Sequence, residues 1–119
     1  MQSNTRQSGT EGEDFACAYI AEQGMKIVQR NFRFGHEEID IVARDGSVLV
    51  FVEVKARQNA SRGLPAEAVT RAKQRSIIRA AMGYLKFNHL TGSRVRFDVA
   101  AICGCEIKYI KAAFDATGI

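Results

Sequence analysis

Four charged residues lie close to a tight-turn signal: Glu38 and Asp40 precede Asp45-Gly46, and Glu53 and Lys55 follow it. Residues 38–44 and 47–54 are β-rich runs, and Asp-Gly between two such runs marks a hairpin. With Asp45-Gly46 as a two-residue loop, Arg44 pairs with Ser47, Asp40 lies opposite Phe51, and Glu38 lies opposite Glu53. Paired residues share a face of the sheet, and so do residues two apart along a strand. Glu38, Asp40, Glu53 and Lys55 then project to one side, together with Leu49 and Phe51. The other side receives Ile39, Ile41, Ala43, Val48, Val50, Val52 and Val54, a wholly apolar set. A slip by one residue would mix the two sets. Asp40 and Glu53 become diagonal neighbours, about 7–8 Å apart at the backbone. Two carboxylates at that spacing can converge on one hard cation such as Mg²⁺, which takes oxygen ligands and keeps several waters. Lys55 could orient or help deprotonate a water on that cation, or neutralise charge on a scissile phosphate. The alternative is an ion pair between Glu53 and Lys55 on an exposed sheet face, since charge clusters can also be structural.

Glu13 also carries two readings: a helix cap, or a further metal ligand reached from the first helix. Asp98 reads as a partner for Arg96, and Tyr84 as packing. His36 and His89 are isolated and read as surface or loop histidines.

The elements that must hold these groups follow from pattern. Residues 1–9 read as a polar, disordered leader and residues 10–119 as one domain. Thr10 suits the N-cap of a first helix with Glu13 at N3, the capping-box spacing. Phe15, Ala16, Tyr19 and Ile20 form its apolar stripe, and Gly24 stops it. Residues 25–34 read as a strand, Gly35-His36 as a turn, and the hairpin follows. Residues 57–64 are a loop. Pro65 fits the first turn of a second helix that runs to Asn88. Its Arg71, Arg75 and Arg79 recur every four residues on one exposed face, while Ile78, Ala81 and Leu85 mark the buried face. Residues 94–102 alternate like a strand, and residues 106–110 offer one more. The order α-β-β-β-α-β, with that optional last strand, is an α/β domain with a mixed central sheet flanked by helices.

Charge is unevenly spread along the chain, whose net charge is +4. Residues 55–96 hold ten Lys/Arg and one acidic residue, Glu67, while residues 1–54 hold five against nine. A block this basic suits a polyanion, and nucleic acid is the commonest in a cytoplasm. Arg57, Arg71, Lys73, Arg75 and Arg79 are the candidate phosphate contacts, which give little sequence preference and strong salt dependence. The alternative is a basic but idle helix face.

A family resemblance is carried by Gly12-Glu13, by residues 38–44 (Glu-Ile-Asp-Ile-Val-Ala-Arg), and by Val52-Glu53-Val54-Lys55. It continues through Pro65-Ala66-Glu67-Ala68-Val69 with Lys73-Gln74-Arg75, and ends at Val95-Arg96-Phe97-Asp98-Val99. These residues, in order over about 10–102, resemble the YraN family of small bacterial proteins. That family is similar to archaeal Holliday-junction resolvases and to restriction-endonuclease-like nucleases, whose signature is an Asp, a spacer, then Glu-x-Lys. The resemblance implies a restriction-endonuclease-like core and a Mg²⁺- or Mn²⁺-dependent phosphodiesterase site. It places Asp40, Glu53 and Lys55 as catalytic residues, Glu13, Asp40 and Glu53 as metal ligands, and Gln74 as the match of a helix glutamine in some relatives. Where such proteins carry Gly-Gly-Glu, this chain has Gly35-His36-Glu37-Glu38, and the strand pairing favours Glu38 as the inward residue.

Composition bounds the rest. The chain has 119 residues, 46% hydrophobic and 25% charged, which suits one globular domain with one modest core. It lacks a run long and apolar enough for a membrane helix and a leading apolar signal, so a cytoplasmic protein with no membrane partner is expected. Cys17, Cys103 and Cys105 read as reduced thiols, and neither zinc nor an organic cofactor is expected. The expected function is a metal-dependent nuclease acting on DNA, branched or damaged DNA included. Its rivals are a non-catalytic nucleic-acid-binding accessory of recombination or repair, and a small interaction protein. The last would form a homodimer through the sheet edge or first helix, and dimerisation is compatible with the nuclease as well.

Overall fold

The computed structural model describes residues 4–57 and 69–116. In chain order the elements are α1 (Asn4–Glu22), β1 (Lys26–Phe34), β2 (Glu37–Asp45), β3 (Val48–Arg57), α2 (Arg71–Phe87), β4 (Val95–Cys103) and β5 (Glu106–Phe114). The strands form one mixed sheet in the order β1-β2-β3-β4-β5. Only β3 and β4 run parallel, the neighbours joined through α2, as parallel pairing requires a crossover. The optional last strand is therefore a full partner of β4.

The sheet is a middle layer with a helix on each face. Under α1, Ala16 and Ile20 pack with Ile41, Ala43, Val50, Val52, Ala100 and Ile102. Under α2, Ile77, Ile78, Ala81 and Tyr84 pack with Ile39, Val42, Leu49, Phe51, Phe97 and Val99. The side of β3 that bears Leu49 and Phe51 is thus a second core rather than a partly covered polar face.

Three expectations need correction. First, the hairpin pairs Asp45 with Val48 and Arg44 with Leu49, so its two-residue loop is Gly46-Ser47 and Arg44 does not face Ser47. Gly46 takes the position that needs a positive φ (61°), and Asp45 stays in the strand, where its Oδ2 accepts from Arg96 Nη1 at 2.9 Å. The change moves every pairing by two residues and so preserves the faces of β3. Second, Ile39 does not share a face with Ile41. Ile39 lies under α2 and Ile41 under α1, so the alternation of β2 breaks at Asp40. The neighbouring strand turns at the same level. Phe32, opposite Ile39, joins the α2 core, while Arg30, opposite Ile41, reaches the acids of α1; Asn31 between them sits at φ 57°. Asparagine tolerates that left-handed conformation better than most residues.

Third, the helix starts differ. α1 begins at Asn4, so it takes in residues 4–9 of the expected leader, and Thr10 is inside the helix rather than its cap. No proline separates Asn4 from Thr10, and propagation through Gly9 adds one bond per residue fixed. Helix α2 begins at Arg71, with Val69 and Thr70 outside it, so it does not run from Pro65; Pro65 itself lies outside the described residues. Thr70 is the N-cap, its Oγ1 accepting from Lys73 N at 3.1 Å. Thr70→Ala is expected to lower stability by about 1 kcal/mol in urea denaturation, the usual cost of losing such a cap.

At the far end of α2 a glycine allows close packing. A Cβ on Gly83 would clash with the Phe34 ring. Gly83→Ala should gain helix propensity yet lose about 1 kcal/mol net, because the ring must leave the helix surface. The urea midpoint checks this.

Candidate carboxylate site

The site lies where β2 and β3 diverge. The β2–β3 ladder ends at Ile41 opposite Val52, and one step further brings Asp40 beside Glu53. There Asp40 replaces the ladder: Val54 N donates to Asp40 Oδ2 at 2.8 Å. The Glu53 charge acts directly on the Asp40 carboxyl. Glu53 is one of two buried charged residues among the described residues, only 5% exposed. Extending the β2–β3 register sets Asp40 level with Glu53, where the expected register set the two diagonally.

Burial pushes the Asp40 carboxyl up to about 7; the Glu53 charge adds to the shift, the Val54 N–H opposes it, and Glu13 and Glu38 add smaller contributions. Glu53 is raised as well, again by burial, with Lys73 and then Lys55 opposing. Two carboxyls that resist ionising side by side are held in place by the fold around them rather than by their own attraction.

Two ammonium groups face Glu53. Lys55 Nζ is 3.6 Å and Lys73 Nζ 3.9 Å from Glu53 Oε2. Lys55 comes from β3 itself and Lys73 from the first turn of α2, which the Thr70 cap fixes. The sequence reading gave Lys73 to nucleic acid alone; its place beside Glu53 was not anticipated. The signal was present, since a helix returning from β3 to β4 must lay its first turn over the end of β3.

Glu13 is on α1, where its Oε1 is 3.3 Å from Arg30 Nη2; Arg30 Nη1 is 2.8 Å from Asp14 Oδ1. Arg30, a cation the sequence reading left out of the site, therefore compensates Glu13. Among the described residues no three His, Cys, Asp or Glu side chains gather closely enough to hold a metal ion by themselves. Glu38 is half-buried and reaches Asp40 only through its charge. Its neighbour Glu37 accepts from Arg79 Nε at 2.7 Å.

The basic residues separate into different settings. Arg79 ties α2 to β2 through Glu37. Arg71 and Arg75 are exposed and line a groove beside β5, together with Gln74. Gln74 Nε2 donates to Val69 O at 3.1 Å, so it braces the segment leading into α2 and does not touch the carboxylates through that bond. Arg57 closes β3, and its side chain lies outside the described residues.

Asp98, itself fully buried, belongs to a separate cluster. Arg96 donates to it through Nε and Nη2, both at 2.9 Å, Tyr109 OH donates at 2.6 Å, and Ala112 N donates at 2.9 Å. The pairing of Arg96 with Asp98 is as the sequence suggested.

No helix among the described residues is long and apolar enough to cross a membrane. Residues 12–102 match the family described as Uncharacterised protein family UPF0102. A UPF0102 protein of Lachnoclostridium phytofermentans is 48% identical over 116 residues, covering 97% of this chain and 98% of the relative. One from Chlorobaculum parvum is 47% identical over 116 residues, covering 89% and 90%. One from Rhodococcus opacus is 50% identical over 94 residues, covering 79% and 80%. The matched span contains Glu13, Asp40, Glu53, Lys55 and Lys73, and this chain, as the YraN-like motifs anticipated, belongs to the uncharacterised family UPF0102.

Proposed function

We propose that the chain is a metal-dependent phosphodiesterase of the restriction-endonuclease-like kind, acting on DNA. The observation that carries this reading is the meeting of Asp40 and Glu53 beside Lys55 and Lys73 at the point where β2 leaves β3. A hard divalent cation fits this donor set. Mg²⁺ is commonly held by one or two carboxylates with waters and substrate phosphate completing the shell, so a third protein carboxylate is not required. Asp40 and Glu53 would hold Mg²⁺ or Mn²⁺, and Glu13 could join them only by leaving Arg30. When bound, such a cation polarises a phosphate and makes water a better nucleophile. Lys55 and Lys73 hold their ammonium protons near Glu53 Oε2, where they attract and orient an anionic phosphate. Arg71 and Arg75 supply sequence-independent phosphate contacts, whereas Arg79 is held by Glu37.

A second reading is a nucleic-acid-binding module without catalysis, and one observation favours it. Glu53 already has two lysine partners and Glu13 has Arg30, so the cluster balances much of its own charge. Cleavage assays on four-way-junction, flap and single-stranded DNA with Mn²⁺ separate the two. The nuclease reading expects cleavage that Glu53→Gln and Lys55→Ala each reduce by at least about 100-fold, as losses of charge-stabilising groups do. Binding with no cleavage by the wild-type chain establishes the module instead.

A further inference from the structure

The nucleic-acid reading leaves open which form of nucleic acid is held, and a groove on the β5 side of α2 bears on this. A cavity of about 340 Å³ lies between the first turns of α2 and the end of β5, lined by Arg71, Gln74, Arg75, Ile78, Phe114 and Asp115, among others. Two arginines one helical turn apart stand on one wall. Across from them is the aromatic ring of Phe114, stacked on Phe97 at 5.1 Å, with Phe97 in turn 5.7 Å from Phe51. With Asp115 also in the lining, the charged lining residues remain net positive.

The β5 wall is built by a defined irregularity. The β4–β5 register shifts between Phe97 and Val99, and Ala112 adopts φ 52°. That kink is anchored where Ala112 N donates to the wholly buried Asp98 at 2.9 Å. The groove therefore has a preformed wall rather than one that must be ordered on binding.

We propose that this groove receives one unpaired nucleotide of the bound strand, with its phosphate on Arg71 and Arg75 and its base against Phe114. The inference rests on the nucleic-acid reading above and adds to it that the substrate class contains a single-stranded segment. Cavity size supports this: 340 Å³ is at the small end of ligand sites, matched to one nucleoside phosphate and far too narrow for a duplex. Chemistry supports it as well, because a guanidinium pair for phosphate beside an aromatic face is how single strands are held without sequence readout. Position agrees. Phe114 is on β5, two strands from β3 and, through the Phe97 pairing, two residues along from the level of Glu53. At about 4.8 Å per strand and about 3.4 Å per residue this is roughly 12 Å from Glu53, on the same α2-covered side of the sheet.

The chain contains no tryptophan, so Phe114→Trp supplies a single reporter. Titration with a single-stranded oligonucleotide is expected to quench it saturably. A fully paired duplex and an abasic deoxyribose-phosphate chain are expected not to quench it. Adding Arg71→Ala and Arg75→Ala should weaken single-strand binding at least about tenfold and flatten its salt dependence. Equal quenching by duplex or abasic chain overturns the proposal. So does an unchanged signal while fluorescence anisotropy of labelled DNA still reports binding; that outcome leaves the nucleic-acid reading intact. Absence of anisotropy change with every nucleic acid overturns both. Should Phe114→Trp not fold, amide shifts of Arg75, Ala112 and Ala113 in the wild-type chain give the same answer: movement with single strand alone supports the groove, and no movement on binding overturns it.

Discussion

Asp40→Asn is expected to make the metal-free chain more stable at pH 7 and to abolish any cleavage. Burial, aided by the charge of Glu53, raises the Asp40 carboxyl to about 7, against an ordinary value of 3.8. The folded state therefore binds a proton more tightly than the unfolded chain. Stability from this group is fully present below about pH 4 and is lost as pH rises through about 7. The full interval corresponds to a loss on the order of 4 kcal/mol, an upper figure for a group that can relax toward water. Asparagine imitates the protonated form: its oxygen can accept from Val54 N, and its amide can donate to Glu53. Urea denaturation at pH 5 and pH 8 should show wild-type stability falling by 2 kcal/mol or more, on the order of the linkage loss above, with a much flatter response in Asp40→Asn. A variant less stable than wild type at pH 8 would contradict the assignment. A residue that weakens the fold at working pH is what a site kept for chemistry predicts, since stability and function commonly oppose each other there.

The opposite expectation holds for Asp98. This carboxylate has no exposed surface and takes hydrogen bonds from Arg96, Tyr109 and the backbone of Ala112. Arg96 spans Asp98 and Asp45, so the cluster joins β4, β5 and the β2–β3 turn. The Tyr109 hydroxyl is pushed well above its ordinary value by burial and by its bond to Asp98, and so stays a donor. Asp98→Ala leaves a half-buried guanidinium and a phenol without their partner. It should cost about 3–5 kcal/mol, the usual penalty for removing one member of a buried ion pair. Replacing Arg96 with methionine in the same chain should recover part of that loss, because the half-buried guanidinium is gone and the Asp45 carboxylate it leaves behind is partly exposed to water. Urea midpoints of the two single variants and the double variant check both statements. A cost below about 1 kcal/mol for Asp98→Ala would show that the cluster does not hold the strands together. Its loss would also free the Ala112 kink that forms the β5 wall of the groove.

Much of the frame was legible in the residues. Asp45-Gly46 between β-branched runs located the hairpin, and even spacing put Glu53 and Lys55 on one face whatever the loop detail. The alternation of Val95, Phe97, Val99 and Ala101 located β4. What escaped was set by long-range packing. The loop moved by one residue because Asp45 is worth more in the strand, paired with Arg96, than in the turn. The break in β2 at Asp40 depends on Asn31 of the neighbouring strand, which no local pattern in residues 38–44 reports. Helical spacing put Arg71, Arg75 and Arg79 on one face, as expected, but could not foresee that Glu37 would engage Arg79. Asp40 and Glu53 were expected to meet from strand pairing. The addition of Lys73 required the tertiary placement of α2, and the diversion of Glu13 required Arg30.

The central claim is that Asp40 and Glu53 form one seat for a divalent cation. Thermal unfolding at pH 7.5 with increasing Mn²⁺ tests it most directly. The wild-type chain should gain several degrees as the cation saturates, since ligand at 100 times its dissociation constant adds about 2.7 kcal/mol. Asp40→Asn and Glu53→Gln should start from their own melting temperatures and gain nothing. A wild-type melting temperature indifferent to Mn²⁺, or an equal rise in all three chains, would show that these carboxylates do not bind the metal.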